Sequence, residues 1–218
     1  MNEGSNILLS GQQGSRPSNL EIGKGLKEAL SVSIEKGAKT LALKDGFFKN
    51  QALKIFLPPE VQQVQKTLNK IGFKPLSDEL TLRLNRAAED AAIKSIPVFK
   101  RAITRMTFSD VMAVLTGGEN SATVYLKKET SRSILNAFAP EIEKSLNKVG
   151  AAKLWKELFT KYNRVPFVKK VNTDLVGYTS NRVLSGLFHS VSSREKIIRS
   201  SPLLKRVFGC ADMLKKQH

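Results

Sequence analysis

Apolar residues in this chain recur every three to four positions and show no sustained alternation. From residue 19, Ile22, Leu26, Ala29 with Leu30, Ile34, Ala38 and Leu41 fall on one side of a helix. Asn19 is placed to cap it, and Glu21 and Glu28 lie towards its positive end. Lys44-Asp45-Gly46 forms the closing turn, after which Phe47 and Phe48 are expected to tuck back against the helix. Residues 52–57, ALKIFL, are the one strand candidate, and Pro58 and Pro59 stop it. A helix from residue 60 places Val61, Val64, Leu68 and Ile71 on a stripe, and Gly72 supplies the left-handed residue that closes it. The next helix, capped by Ser77 with Asp78 and Glu79 in its first turn, carries Leu80, Leu84, Ala87, Ala88 and Ala91. Pro97 starts or kinks its continuation through Val98, Ile103 and Met106.

Thr107-Phe108-Ser109-Asp110 has the spacing of a capping box, with Asp in place of the usual Glu. It opens a short helix that runs to Leu115 and closes at Gly117-Gly118. Asn120 then caps a long helix through Val124, Leu126, Ile134 and Phe138. Pro140 starts or bends its successor, 141–149, which Gly150 closes. The helix at 151–162 presents Leu154, Trp155, Leu158, Phe159 and Tyr162. Beyond Pro166 a connector leads to a last helical region from Thr179 to about Phe208, interrupted by Pro202. The pattern predicts an all-α protein.

Two stretches resemble each other. LNKIGFKPLSDELTLRLNR (68–86) and LNKVGAAKLWKELFTKYNR (146–164) lie 78 residues apart and share nine of nineteen positions without a gap. Self-similarity of this kind marks a duplicated structural unit. Each copy reads as helix, Gly stop, turn and second helix, an αα-hairpin with an apolar stripe that it cannot bury alone. The expected fold is a multi-helix bundle in which two such hairpins, about 60–86 and 141–164, are related by an approximate two-fold axis. A loose tail is expected over 1–18, one helical domain over 19–209 and a basic tail over 210–218.

Composition changes the picture in one respect. Apolar content of 41% suits an ordinary core, but 36 Lys and Arg stand against 19 Asp and Glu, a net charge of +17. Such an excess attracts anionic partners over long range, and equally serves as a solvated surface. Cys210 is the sole cysteine, so an intramolecular disulfide is excluded, and with two histidines so are metal sites built from three His or Cys ligands. No run approaches the roughly 18 apolar residues of a membrane span. The first residues lack the basic-then-apolar layout of a secretion signal, so the expectation is a cytoplasmic protein or a mature form.

The segments GLKEAL (25–30), KDGFF (44–48), KIFLP (54–58), LNRAAE (84–89), MTFSD (106–110), TGGENSAT (116–123) and YNRVPFVKKVN (162–172) occur in an order that resembles a bacterial family, domain of unknown function 4197. The resemblance covers about residues 20–209. It implies a helical, single-domain protein of Gram-negative-type bacteria, many of whose members look exported or lipoprotein-like, hence a periplasmic or cell-envelope location. It carries over no catalytic residues.

The residues themselves offer little catalytic chemistry. His189 sits among apolar neighbours in LSGLFHSV with no G-x-S-x-G elbow beside it, the setting of a packed residue. The pairs Asp78/Glu79, Glu89/Asp90 and Glu141/Glu143 point in different directions on their helices and read as solvated or helix-start charge. Gly23-Lys24-Gly25 lacks the remaining positions of a phosphate loop. The Gly-rich 116–123 stretch reads as an interhelical turn, since Glu119 opposes an anion there.

The repeated polar residues are the better candidates. Glu79, Arg83 and Arg86 share one helix face, and Glu157, Lys161 and Arg164 repeat the arrangement, with Asn85 and Asn163 beside them. One reading makes them structural, with Asn and Arg holding hairpin ends through exposed carbonyls. The other makes Arg83, Asn85, Arg86, Lys161, Asn163, Arg164, Lys169 and Lys170 anion-binding candidates, because a guanidinium suits bidentate phosphate or carboxylate recognition. Glu79, Glu157, Thr107 and Asp110 are then a structural polar network. Further basic clusters stand at Lys94/Lys100/Arg101/Arg105 and from Arg194 to Lys216. The expectation is a non-enzymatic, cofactor-free and metal-free binding protein engaging an anionic membrane surface or other polyanion, such as envelope phospholipid or lipopolysaccharide. The alternatives are sequence-independent nucleic-acid binding, and a carrier of a lipid or other apolar small molecule between the hairpins.

Overall fold

The computed structural model describes residues 19–58, 61, 62, 66, 74–164 and 174–200, with the side chains of Lys161 and of the expected cap Asn19 excepted. Among these residues the chain forms helices and no strand. The helices are α1 (Asn19–Ala42), α2 (Lys74–Ala92), α3 (Ser95–Arg105), α4 (Phe108–Thr116), α5 (Ser121–Lys148), α6 (Ala151–Tyr162) and α7 (Leu175–Ser200). The all-α bundle read from the periodicity is what the structure shows. The predicted two-fold relation between hairpins depends on a first helix that lies largely outside the described residues, as do the 1–18 and 210–218 tails.

The apolar stripes are buried where their spacing puts them. Ile22, Leu26, Leu30, Ile34, Ala38 and Leu41 of α1 are all core, as are Leu80, Leu84, Ala87, Ala88 and Ala91 of α2. Both belong to one continuous hydrophobic cluster that every helix joins. Helix α5 lies at its centre, packed against α2, α3, α4, α6 and α7, while α1 packs against α2, α3, α4 and α7. Phe47 is fully buried, and a Cβ added to Gly186 of α7 would come within 2.7 Å of its ring. A bare glycine there lets the loop after α1 seat its aromatic ring on α7.

Several boundaries differ from expectation. Helix α2 begins one turn before Ser77, whose hydroxyl donates to the Lys74 carbonyl at 2.9 Å from inside the helix. Pro140 neither starts nor ends a helix, because α5 runs through it. Pro140 and Asn136, whose carbonyl loses its helical donor, are both exposed, so water can serve that oxygen. Val124 of the same helix is 65% exposed rather than packed, whereas Leu126, Ile134 and Phe138 are buried. Helix α7 starts at Leu175, four residues earlier than Thr179, and Asp174 Oδ1 accepts the Gly177 N–H at 2.8 Å in its first turn. The Thr107 capping box is present: Thr107 Oγ1 accepts the Asp110 N–H at 3.2 Å, and Asp110 Oδ2 accepts the Thr107 N–H at 2.8 Å. Two turns close on left-handed residues, Asp45 at φ 72° and Gly150 at φ 67°.

The strand candidate forms no strand: residues 52 and 53 lie in a turn, and 54–57 have no regular structure. Instead, the Asn85 side chain pairs with Ile55 as a strand would. The Ile55 N–H donates to Asn85 Oδ1 at 2.8 Å, and Asn85 Nδ2 donates to the Ile55 carbonyl at 2.8 Å and to the Thr81 carbonyl at 2.7 Å. One amide thereby satisfies a buried length of irregular backbone that would otherwise cost stability.

Candidate anion-binding site

The guanidiniums of the first repeat copy are already engaged. Arg86 Nη2 lies 2.7 Å from Asp45 Oδ1, and its Nη1 lies 2.6 Å from Glu89 Oε2. The ion pair with Arg86, then that with Lys49, holds the Asp45 carboxyl below the usual carboxylate range. Glu89 is only 3% exposed, so it is not the solvated residue its sequence context suggested. Its Oε1 accepts the N–H groups of Phe47 and Phe48, each at 3.1 Å. Arg83 donates from Nε to Glu79 Oε1 at 2.7 Å and from Nη1 to the Val149 carbonyl at the end of α5. Thr81, Asn85 and Glu89 thus form a polar stripe along α2 that pins the 45–57 segment, and Arg83 ties α2 to α5. An incoming anion would have to displace two carboxylates from Arg86.

The second copy is used differently. Asn163 Oδ1 is buried and has no hydrogen-bond partner, so it does not repeat the clamp made by Asn85. Arg164 and Glu157 are exposed. The side chain of Lys161, and all of Lys169 and Lys170, lie outside the described residues. The repeat therefore does not bring its two polar sets into one pocket among the described residues.

A different basic cluster does line a groove. Of Lys94, Lys100, Arg101 and Arg105, the first pairs with Glu141 at 3.6 Å and the second with Glu35 at 2.6 Å. Glu35, bonded to Lys100 and then Lys39, has its carboxyl lowered to about 2. Arg101 and Arg105, one helical turn apart on α3, form no ion pair among the described residues. They face a groove of about 520 Å³ between α3, α4 and α5, together with Asp110, Tyr125, Glu129 and Ser133. Asp110 is committed to its helix cap, and the Thr107 N–H foremost holds its carboxyl below the usual range. Burial first, and the Asp110 charge second, raise the Tyr125 hydroxyl. Tyr125, Glu129 and Ser133 recur at intervals of four on α5, a spacing that marks one helix face even before the groove is known.

Another functional pair in the fold went unrecognised in the sequence. Glu195 of α7, 3% exposed, accepts the Ala122 N–H at 3.0 Å and the Thr123 N–H at 2.8 Å, and so caps α5. Asn120 makes no side-chain cap, and its Oδ1 accepts the Ser192 hydroxyl instead. Arg199 neutralises Glu195 at 2.9 Å and donates to the Val114 carbonyl at 2.8 Å. The available signal was a carboxylate lying on the apolar stripe of Phe188 and Val191.

Comparison with known proteins gives one match. The family described as "Protein of unknown function (DUF4197)" matches residues 16–209. No curated protein and no solved structure matches the chain. With nearly the whole bundle covered by that match, the chain belongs to the DUF4197 family.

Proposed function

We propose that this protein is a non-enzymatic binding module of the cell envelope that docks on phosphate-bearing anionic surfaces through its exposed cations. The observation that carries this reading is an asymmetry of pairing. Several acidic side chains already have cationic partners: Glu35 pairs with Lys39 and Lys100, Asp45 and Glu89 with Arg86, and Glu195 with Arg199. Arg101, Arg105, Lys127, Lys128, Arg132 and Arg182 are exposed and form no ion pair among the described residues. With cations outnumbering acids by 17 along the chain, these exposed side chains are open to an anionic surface. No helix among the described residues is long and apolar enough to cross a membrane, so contact with a bilayer would be at its surface.

The test is co-sedimentation of the full chain with vesicles of pure phosphatidylcholine or of phosphatidylcholine with phosphatidylglycerol, with duplex DNA as competitor. Retention on the anionic vesicles alone, with DNA competing weakly, is the expected result. DNA that strips the protein from vesicles at equal phosphate concentration would favour the nucleic-acid reading. Equal retention on both vesicle types would contradict a role for the cations.

A further inference from the structure

The groove beside Arg101 and Arg105 has a second half. A shallower groove of about 440 Å³, walled by Ala113, Val114 and Val124, meets the first at Tyr125, which lines both. The first is polar; the second has an apolar wall, with Val124 65% exposed in it, and a polar end formed by Glu119, Asn120 and Ser121. Each has the volume of a small-ligand site. The polar half is also balanced in charge in a particular way. Among the described residues, Arg101 and Arg105 on α3 have no ion pair, and neither does Glu129 on the facing α5. Asp110, the other carboxylate in the groove, is already bonded to Thr107. Two free guanidiniums call for a phosphate or carboxylate, and a free carboxylate on the facing helix calls for an ammonium. A purely anionic head would leave Glu129 opposing it.

We propose that the two joined grooves bind a single amphiphile whose head carries both a phosphate and a primary ammonium group, as in an ethanolamine phospholipid. Arg101 and Arg105 take the phosphate, Glu129 accepts from the ammonium, and the first carbons of the acyl chains lie along Val114 and Val124. This goes beyond the general attraction to anionic surfaces, since the recognised group is a zwitterion held by three named side chains. All four side chains that carry it, Arg101, Arg105, Glu129 and Val124, are exposed, so their replacement leaves the core untouched.

Titration calorimetry of the full chain with dihexanoyl phosphatidylethanolamine, kept below its aggregation threshold, tests the proposal. The paired substitution Arg101→Ala with Arg105→Ala should weaken binding by about tenfold or more, the size of a lost charge-assisted hydrogen bond. Glu129→Gln should weaken binding of the ethanolamine lipid and strengthen that of dihexanoyl phosphatidylglycerol, from whose anionic head it removes an opposing charge. Val124→Asp should weaken binding of the lipid but not of soluble O-phosphoethanolamine, which should itself bind less tightly than the lipid. Wild-type affinity in the arginine double variant, or a preference for phosphatidylglycerol, would overturn the proposal. So would O-phosphoethanolamine binding as tightly as the lipid, which would mean that the apolar half takes no part. Replacing Lys144 and Lys153 together removes the same charge elsewhere, and an equal loss there would mean diffuse attraction and no headgroup site. Failure to bind anionic vesicles would reject the proposed function, but this titration uses monomeric lipid and reads the groove separately.

Discussion

Asn85 carries three hydrogen bonds through one side chain, and its repeat partner Asn163 leaves its buried carbonyl oxygen with none. The same substitution should therefore have different consequences at the two positions. Asn85→Leu strands the Ile55 N–H and carbonyl in a buried setting and should cost about 2–4 kcal/mol. Asn163→Leu removes an unsatisfied oxygen and should stay within about 1 kcal/mol of the parent. Urea unfolding with unchanged m-values measures both, and equal losses would contradict the distinction. Glu35 gives a second residue-level test. Its folded carboxyl titrates at about 2 against an ordinary 4.5, so its ion pairs with Lys100 and Lys39 contribute above pH 4.5. That contribution fades as pH falls from 4.5 towards 2, since the unfolded chain then binds the proton more readily. The unfolding midpoints of the parent and Glu35→Gln should differ at neutral pH and converge over that window.

At the scale of elements, two carboxylates accept backbone N–H groups from across the fold. Glu195 caps α5 from α7, and Glu89 holds the turn after α1 from α2. Replacing Glu195 by Ala removes a cap and leaves Arg199, with a side chain only 16% exposed, without its counter-ion. The expected loss is about 3–5 kcal/mol. Asn120→Ala, at the position that precedes the helix, should cost no more than about 1 kcal/mol because its side chain caps nothing. Comparable losses from the two would mean that Glu195 is not the effective cap.

These ties also explain what could and could not be read in advance. The stripes of α1 and α2 and the Thr107 box depend on neighbours three and four positions away, which the local pattern records. Glu89 and Glu195 act on residues 41 to 73 positions away, so periodicity sees only a charge on a helix. Residues 54–57 carry strand-like apolar content, yet the partner of Ile55 is an asparagine amide that no alternation announces. The repeat was visible as sequence, but the two copies use their polar residues in unequal ways. The groove was half legible: Arg101 and Arg105 stood out as a basic cluster, while Glu129 acquires meaning only when α5 is packed against α3.

For the molecule as a whole, the internal economy of charge links fold to function. Asp45, Glu89 and Glu195 stabilise turns and helix ends, while exposed lysines and arginines, in excess over the exposed acids, stand on α3, α5 and α7. The result is a helical body with many cations on its surface and, among the described residues, adjoining grooves where cations, a carboxylate and apolar residues meet. The most direct measurement of this account is retention of the full chain on phosphatidylglycerol-containing vesicles as sodium chloride rises from low to several-fold physiological concentration. Surface cations predict strong retention at low salt that declines steadily as screening shortens the reach of the field to a few ångströms. Retention that is absent at low salt, or unchanged across the series, would contradict it.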